Sequence, residues 1–368
     1  MLANEGAEVI RVEPPGGATD REVMPVGVGG RGGLYLQMNA GKRSITLDFA
    51  DPAGRSVLES LIRTSDVVVV NLPGGALARL GLDYQSLQAI KPDIILTTIS
   101  AFDSSGRDRD RVGFDGTGQA LSGSMYLTGS GERPTRAAVS YVDYATGMSA
   151  AFATLSALIE RAASGRGQHI RCSLMGMALT MMNPMLMEEA SGYRSRTPIT
   201  NRSPIAGPSD LFRSKDGWVM VQVIGDAMFR RWTELVKRPD LLADPRFRTD
   251  SDRGDNGAEL SAIMAEWCAA RTTQECLSET TARRLPACPC LTPKETLEME
   301  GLGDYADTIT FEEDGKTVPL ITKAIHTATS EERKPQVAPK LGADTDQVLA
   351  ALGMTDAEIR KLRDRGIV

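Results

Sequence analysis

The stretch Gly165-Arg166-Gly167-Gln168-His169-Ile170-Arg171-Cys172-Ser173-Leu174-Met175-Gly176-Met177-Ala178-Leu179 joins a glycine-rich turn, a short alternating run and a methionine-rich apolar run. This pattern predicts a turn, a strand and a helix in that order. Ligands of α/β enzymes gather at the carboxyl ends of strands, so the junction at Leu174 to Met177 is where a reacting side chain is expected. The residue found there is Gly176, which has no side chain.

The residues before this stretch alternate between strand and helix patterns. Strands are predicted over 7–13, 44–48, 66–71 and 93–100, and helices from Pro52, from Ala76 and over 143–163. This alternation predicts an α/β fold with a parallel sheet. Residues 1–6 are interpreted as the end of a helix capped by Gly6, so we expect the chain to begin inside a helix.

A second, smaller domain of α+β character is expected after this stretch. It begins with a hairpin arm at 216–223 and continues with helices. Two polar, proline-containing segments flank it and are interpreted as linkers. The predicted organisation is a large domain over 1–193, a linker over 194–208, a small domain over 209–326, a linker over 327–340 and a return to the large domain over 341–368.

Composition limits the possible functions. The 368 residues carry a net charge of −6 and a pI of about 5.3, which does not suggest a nucleic-acid partner. No apolar run reaches the roughly 18 residues of a transmembrane helix, so we expect no membrane partner and a cytoplasmic location. Cys288 and Cys290 form a C-x-C, but a metal site needs a second pair of ligands, and none is visible in the sequence.

Two basic segments could hold a phosphorylated ligand. Asn71 to Arg79 joins the end of a buried strand to a helix, and Arg79 could add a bidentate phosphate contact. Lys42-Arg43 precedes a strand and is a candidate second anchor. Taken alone, each segment is better explained as an exposed basic loop.

Two aspartates open candidate helices. Asp115 lies in a glycine-rich, apolar setting, where a desolvated carboxylate could act as acid, base or nucleophile; capping of a nearby helix is an equal alternative. Asp143 is interpreted as the N-cap of the helix that follows it. His169 has no acidic partner in the sequence and is interpreted as structural or exposed.

Taken together, these segments resemble the family III CoA transferases, which include formyl-CoA transferase, carnitine CoA-transferase and α-methylacyl-CoA racemase. The resemblance covers nearly the whole chain. The segments that carry it are 6–17, 39–48, 71–81, 113–123, 165–168 and 341–349. Each segment is weak alone, but their order is specific.

The resemblance implies a Rossmann-like large domain, a small inserted domain and an interlocked dimer. It also implies that coenzyme A or an acyl-CoA is the substrate and that a small carboxylic acid is its partner. The CoA-binding residues that it implies are Lys42, Arg43, Asn71, Leu72, Gly74 and Arg79.

The transferases of this family use an aspartate nucleophile that forms an acyl-enzyme anhydride. By resemblance, that aspartate belongs at Gly176. The racemase branch pairs a histidine with a second aspartate; Asp143 matches the aspartate, but Phe114 replaces the histidine, so racemisation is not supported. Asp115 matches a family carboxylate, and the resemblance therefore makes it the candidate catalytic residue.

Three hypotheses follow from these residues. The chain is a family III transferase in which another acid replaces the missing nucleophile. Alternatively, it is the non-catalytic subunit of a heteromer with a homologous Asp-bearing chain, or a protein that binds CoA thioesters without turning them over. A homodimer is expected under the first hypothesis.

Overall fold

The computed structural model describes residues 1–26, 31–72, 74–311, 315–321, 324–325 and 336–368. They form two compact units. The first comprises Met1–Gly118, Ser140–Thr180 and Glu300–Val368, and the second comprises Gln119–Val139 and Met181–Met299. The domain and linker limits given above stay a prediction, and His326 and residues 327–335 lie outside the described residues.

Parallel pairing dominates the first unit. Its strands are β1 (Ile10–Glu13), β2 (Arg43–Thr46), β3 (Val67–Val70), β4 (Ile95–Ser100), β5 (His169–Ser173), β9 (Ala306–Thr310) and β10 (Thr317–Ile321). β1 pairs with β2 in parallel, and β3, β4 and β5 form a parallel sheet with β4 in the centre. β9 and β10 form an antiparallel pair. The predicted α/β fold with a parallel sheet is confirmed.

Helices connect these strands. They are α1 (Gly33–Met38), α2 (Pro52–Thr64), α3 (Gly74–Leu80), α4 (Tyr84–Ile90), α5 (Asp115–Leu121), α7 (Tyr141–Ser164), α8 (Leu174–Ala190), α14 (Thr345–Ala351) and α15 (Asp356–Asp364), of which α5 and α8 continue into the second unit. A short 3-10 helix, Thr19–Glu22, precedes α1, and another, Leu302–Asp304, precedes β9.

The start of α2 shows how the local sequence determines where a helix begins. Asp51 accepts a hydrogen bond from the Ala53 N–H at 2.8 Å, and Pro52 occupies the first helical turn. An aspartate N-cap satisfies an orphan amide, and proline at this position removes one that would have no partner.

The C-terminal tail belongs to the core of the first unit. Leu349 is fully buried together with Ile45 and Leu96. The Thr46 N–H donates to Thr345 Oγ1 at 3.2 Å, which ties the tail to β2. The tail therefore packs into the same apolar core as β2 and β4.

The helix α7 corrects one expectation. By length and composition this 24-residue helix is apolar enough to cross a membrane. The expectation that no segment reaches this length was wrong, although the core helix of a soluble protein passes the same test. Here one face of α7 packs on the sheet, where Thr154 Oγ1 lies 2.7 Å from Thr97 Oγ1.

The second unit contains an antiparallel sheet and a helical layer. Its elements are α6 (Ser124–Thr128), β6 (Ser209–Arg213), β7 (Trp218–Gln222), α9 (Asp226–Leu235), α10 (Asp250–Asp255), α11 (Gly257–Ala269), α12 (Thr273–Ala282), β8 (Ala287–Pro289) and α13 (Pro293–Glu298), with 3-10 helices at Pro239–Leu242 and Pro245–Phe247. The strand order is β6, β7, β8. The predicted hairpin arm is β6–β7. It packs in one core with Trp232 and Phe229 of α9 and with Phe247.

The first residues differ from the prediction. Residues 2–6 form hydrogen-bonded turns rather than the end of a helix. Gly6 has the expected left-handed conformation, with φ of 101°, but it closes a turn. A turn that closes on glycine and a helix end that is capped by glycine have the same local sequence pattern. The sequence alone therefore could not distinguish them.

Candidate functional site

The carboxyl ends of β3, β4 and β5 lie side by side. Val70 is paired with Thr98, and Ser100 is paired with Ser173, so the residues that follow each strand emerge at one edge of the sheet. We call this edge, with the loops that leave it, the carboxyl edge. The Met175 N–H donates to the Ala101 carbonyl at 3.0 Å, which joins the start of α8 to the end of β4. Ligands of parallel sheets bind at such an edge.

Gly176 lies at the carboxyl edge in the first turn of α8 and is exposed. Its N–H donates to Ser173 Oγ at 3.1 Å. A Cβ placed on Gly176 would meet Ser173 Oγ at 2.8 Å and, its chain neighbours and the backbone of α8 aside, no other heavy atom of the described residues within 4 Å. A larger side chain therefore has room once Ser173 rotates. The position is accessible, as a reacting residue requires, but it carries no reacting group.

Asp115 is only 2% exposed. Its Oδ2 accepts hydrogen bonds from the Val142 N–H at 2.9 Å and the Asp143 N–H at 3.4 Å, both in the first turn of α7. A carboxylate at a helix N-terminus satisfies orphan amides and interacts favourably with the helix dipole. These contacts show Asp115 capping α7 rather than the helix near Gly116. Its catalytic role stays a prediction.

The interpretation of Asp143 as an N-cap is wrong. Ser140 occupies the N-cap of α7, and Asp143 lies within the first turn with its side chain exposed. The amides that a local cap would have bound are bound by Asp115 instead. Phe114, which the resemblance alone places at the position of the racemase histidine, is 75% exposed.

Four CoA-binding residues are predicted between 71 and 79, and the structure describes the side-chain environment of three of them. Asn71 is exposed directly after β3, Leu72 is half-buried, and Arg79 is exposed in α3. No hydrogen bond or ion pair joins Arg79 to another residue in the described part of the chain. Gly74 begins α3, and the intervening Pro73 lies outside the described residues.

The structure does not bring Lys42 and Arg43 to the carboxyl end of a strand, because Arg43 begins β2. Arg43 Nη1 pairs with Glu8 at 2.5 Å, and its other amine donates to Gln347 at 3.2 Å. Lys42 Nζ donates to Asn39 Oδ1 at 3.0 Å, and burial, followed by the charge of Arg11, lowers the pKa of Lys42. Their role as phosphate anchors stays a prediction.

A cleft of about 160 Å³ that sequence reasoning missed borders Leu72. It is lined by Leu72, Leu77, Asp83, Thr98, Ser100, Ser104 and His169. His169 Nε2 lies 3.0 Å from Thr98 Oγ1, and its ring stacks on Tyr84 with centroids 5.8 Å apart. Burial, followed by the charge of Arg171, lowers the pKa of His169 and favours its neutral form. The sequence signal that could have indicated this cleft is the pair of polar residues Thr98 and Ser100 in an otherwise buried strand.

No group of three or more His, Cys, Asp or Glu side chains that could hold a metal ion occurs among the described residues. Cys288 and Cys290 are free and exposed in the second unit.

Comparison with known proteins agrees with this architecture. A family model described as CoA-transferase family III matches residues 1–345. The succinate–glutarate CoA-transferase of Agrobacterium fabrum is 31% identical, over 96% of this chain and 90% of its own length. The succinyl-CoA–L-malate CoA-transferase beta subunit of Chloroflexus aurantiacus is 28% identical over 100% of this chain and 93% of its own. The crystal structure of a CAIB/BAIF family protein from Brucella suis has a TM-score of 0.79 and 30% identity, covering 95% of this chain and 93% of that one.

Proposed function

Since the chain belongs to CoA-transferase family III, we propose that it binds an acyl-CoA thioester and takes part in moving CoA to a carboxylic acid. The relatives compared above are named for succinate, glutarate and L-malate, so small dicarboxylic acids are the first substrates to test.

One observation carries the proposal: exposed Asn71 and Arg79 follow one strand of the same parallel sheet in which exposed Gly176 follows another. An exposed guanidinium suits a phosphate of CoA, because it donates bidentate, charge-assisted hydrogen bonds. Asn71, directly after β3, adds a neutral donor and acceptor. A thioester anchored there would lie at the edge that also holds the start of α8.

The carboxylate that accepts the acyl group is the missing part. Thioester exchange through an anhydride needs an accessible carboxylate nucleophile. Gly176 supplies none, and Asp115 is buried and bound to amides of α7. We therefore propose that the chain alone does not form the acyl-enzyme anhydride.

A second candidate function follows from this gap. The chain would act as one subunit of a heteromer, with a homologous chain that supplies the aspartate. A relative over the full length of this chain is itself named a beta subunit, which supports this candidate. Copurification of an active complex with an Asp-bearing homologue supports it, whereas an active homomeric protein counts against it.

The decisive experiment combines calorimetry with intact-protein mass spectrometry. The wild-type protein is titrated with CoA and then incubated with succinyl-CoA, with glutarate and L-malate as acceptors. We expect saturable CoA binding, no covalent adduct, and a succinyl adduct only in Gly176→Asp. The matched control Gly176→Asn has the same shape without the nucleophile and should give no adduct.

Two outcomes would contradict the proposal separately. Absence of CoA binding to a folded protein would remove the assignment of an acyl-CoA substrate. A succinyl adduct on the wild-type protein would show that another group replaces the missing carboxylate, and peptide mapping would identify it.

A further inference from the structure

Arg79 lies in the last turn of a short helix, α3, which spans Gly74–Leu80. A helix of about two turns is not stable by itself, because isolated helices shorter than about 12 residues are marginal in water. Contacts from outside the helix must therefore determine where its last turn lies. Those contacts also determine where the Arg79 guanidinium can meet a ligand.

Apolar packing holds α3 along one narrow side. Among the described residues of the helix, Leu77 is the only buried one, and Leu80 is half-buried against the same core. Ala78 and Arg79 are exposed. Leu77 also borders the cleft of about 160 Å³ described above, and a void beside a side chain removes dispersion contacts. Polar contacts at the C-terminal end therefore contribute more to the position of α3 than they would in a fully packed helix.

The C-terminal end of α3 has a glycine cap. The Leu82 N–H donates to the Leu77 carbonyl at 2.8 Å, and the Gly81 N–H donates to the Ala78 carbonyl at 3.2 Å. Gly81 has the left-handed conformation, with φ of 60°. This is the Schellman pattern, which satisfies two of the last carbonyls of the helix. The carbonyls that follow, those of Leu80 and Gly81, need donors from elsewhere.

Arg55 of the neighbouring helix α2 supplies those donors. Its Nη1 donates to the Leu80 carbonyl, and its Nη2 donates to the Gly81 carbonyl at 3.2 Å. Its Nε donates to Glu59, one turn further along α2, at 3.2 Å, and this contact orients the guanidinium. A planar guanidinium presents its N–H groups in a fixed fork, so it holds two neighbouring carbonyls in one geometry.

The approach between Arg55 and the end of α3 is close enough to require glycine. A Cβ placed on Gly81 would lie 2.9 Å from Arg55 Nη2, in addition to the strain of the positive φ. Leu80 directly follows Arg79, so Arg55 binds the carbonyl of the residue next to the predicted phosphate anchor. The last turn of α3 is thus fastened to α2 immediately beside Arg79.

We propose that Arg55 is a positioning residue for CoA binding. By holding the carbonyls of Leu80 and Gly81, it fixes the last turn of α3 and thereby places the Arg79 guanidinium for a phosphate of CoA. The inference rests on the proposed function, through the role of Arg79. The competing role for Arg55 is general stabilisation of the first unit, which would affect binding without acting through Arg79.

A double-mutant cycle with CoA, measured by calorimetry, separates these roles. Arg55→Ala should raise the Kd for CoA about fivefold, because Arg79 loses its fixed position. In the Arg79→Ala background the same replacement should change the Kd by less than about 1.5-fold, because the group that Arg55 positions is already absent. Arg55→Lys should recover only part of the affinity, since an ammonium lacks the fork that holds both carbonyls.

Arg63→Ala is the matched control. Arg63 lies on the same helix, pairs with the same Glu59 at 3.9 Å and has a side chain that is 57% exposed. Its replacement should leave the Kd for CoA unchanged. Circular dichroism verifies that all variants are folded.

Hydrogen exchange of the ligand-free protein tests the anchoring itself. The peptide that covers residues 74–82 should exchange faster in Arg55→Ala than in the wild type, whereas Arg63→Ala should leave it unchanged. This measurement needs no ligand, so it does not depend on whether CoA binds.

The outcomes that contradict the inference differ from those that contradict the proposed function. An unchanged Kd in Arg55→Ala while Arg79→Ala weakens binding would overturn the inference. So would an equal loss of affinity in both backgrounds, since Arg55 would then act without Arg79, and so would unchanged exchange of residues 74–82. A wild-type protein that binds no CoA would refute the proposed function, and the inference would fall with it.

Discussion

Replacing Asp115 tests whether this buried carboxylate holds α7 in place. Asp115 accepts two amide hydrogen bonds in the first turn of a 24-residue helix, from Val142 at 2.9 Å and from Asp143 at 3.4 Å. In Asp115→Ala both amides lose this acceptor, and the Val142 amide lies at a fully buried residue with no access to water.

The expected loss in free energy of unfolding in Asp115→Ala comes from two effects that overlap. An unsatisfied buried donor costs about 1–3 kcal/mol. A favourable, partly buried charge at a helix terminus contributes up to about 2 kcal/mol. Because these effects describe the same contacts, we expect Asp115→Ala to lower the free energy of unfolding by about 3 kcal/mol. Asp115→Asn keeps an acceptor oxygen and loses the charge, and should cost about 1 kcal/mol.

The assay is urea unfolding, combined with hydrogen exchange of the peptide that covers the start of α7. We expect faster exchange there in Asp115→Ala, with Asp110→Asn as an exposed aspartate control. A loss below about 0.5 kcal/mol in Asp115→Ala would refute the reasoning, because it lies within the range of ordinary surface substitutions. A succinylated peptide containing Asp115 after incubation with succinyl-CoA would refute it independently and restore the catalytic role.

Other substitutions probe the binding edge and the two units. Arg79→Ala should weaken CoA binding by about tenfold in calorimetry, since it removes one charge-assisted phosphate contact, whereas Arg107→Ala, an exposed control, should not. Burial raises the pKa of Glu13, but hydrogen bonds and charge from neighbouring arginines outweigh it and hold that pKa below its usual range. The stability from Glu13 is therefore present above the unfolded pKa of about 4.3 and is lost as pH falls through the lower folded value, so Glu13→Gln should flatten acid unfolding below about pH 5 while exposed Glu8→Gln does not. Arg253→Ala should destabilise the second unit by about 3 kcal/mol in calorimetry, because it removes a buried cation with two carboxylate partners; a shift below 1 kcal/mol would contradict this.

Much of the fold follows from local pattern. The apolar run from Val67 to Val70 and the alternation from His169 to Ser173 predicted strands, and the Asp51-Pro52 start predicted a helix. These elements depend on neighbours within a few residues, so periodicity and capping chemistry are enough to locate them. The fold class was predictable for the same reason.

The candidate site was only partly predictable. Asn71 and Gly176 follow strands closely in the sequence, and parallel strands bring such residues to one edge. Arg79 lies further along the chain, in the last turn of α3. The cleft beside Leu72 was missed, because the residues that line it come from loops, from α3 and from two strands that are far apart along the chain.

The sequence by itself determined the strand-to-helix junction at Ser173 and Leu174, and it determined that Gly176 brings no carboxylate to it. Only the tertiary structure decided what Asp115 and Arg43 contact. Asp115 meets amides 27 and 28 residues away, and Arg43 meets Gln347, 304 residues away. Local sequence records which charges a chain carries, whereas packing decides which of them lose water and find partners. For this protein, packing placed the candidate catalytic residue Asp115 at the N-terminus of α7 and left Gly176 exposed at the carboxyl edge.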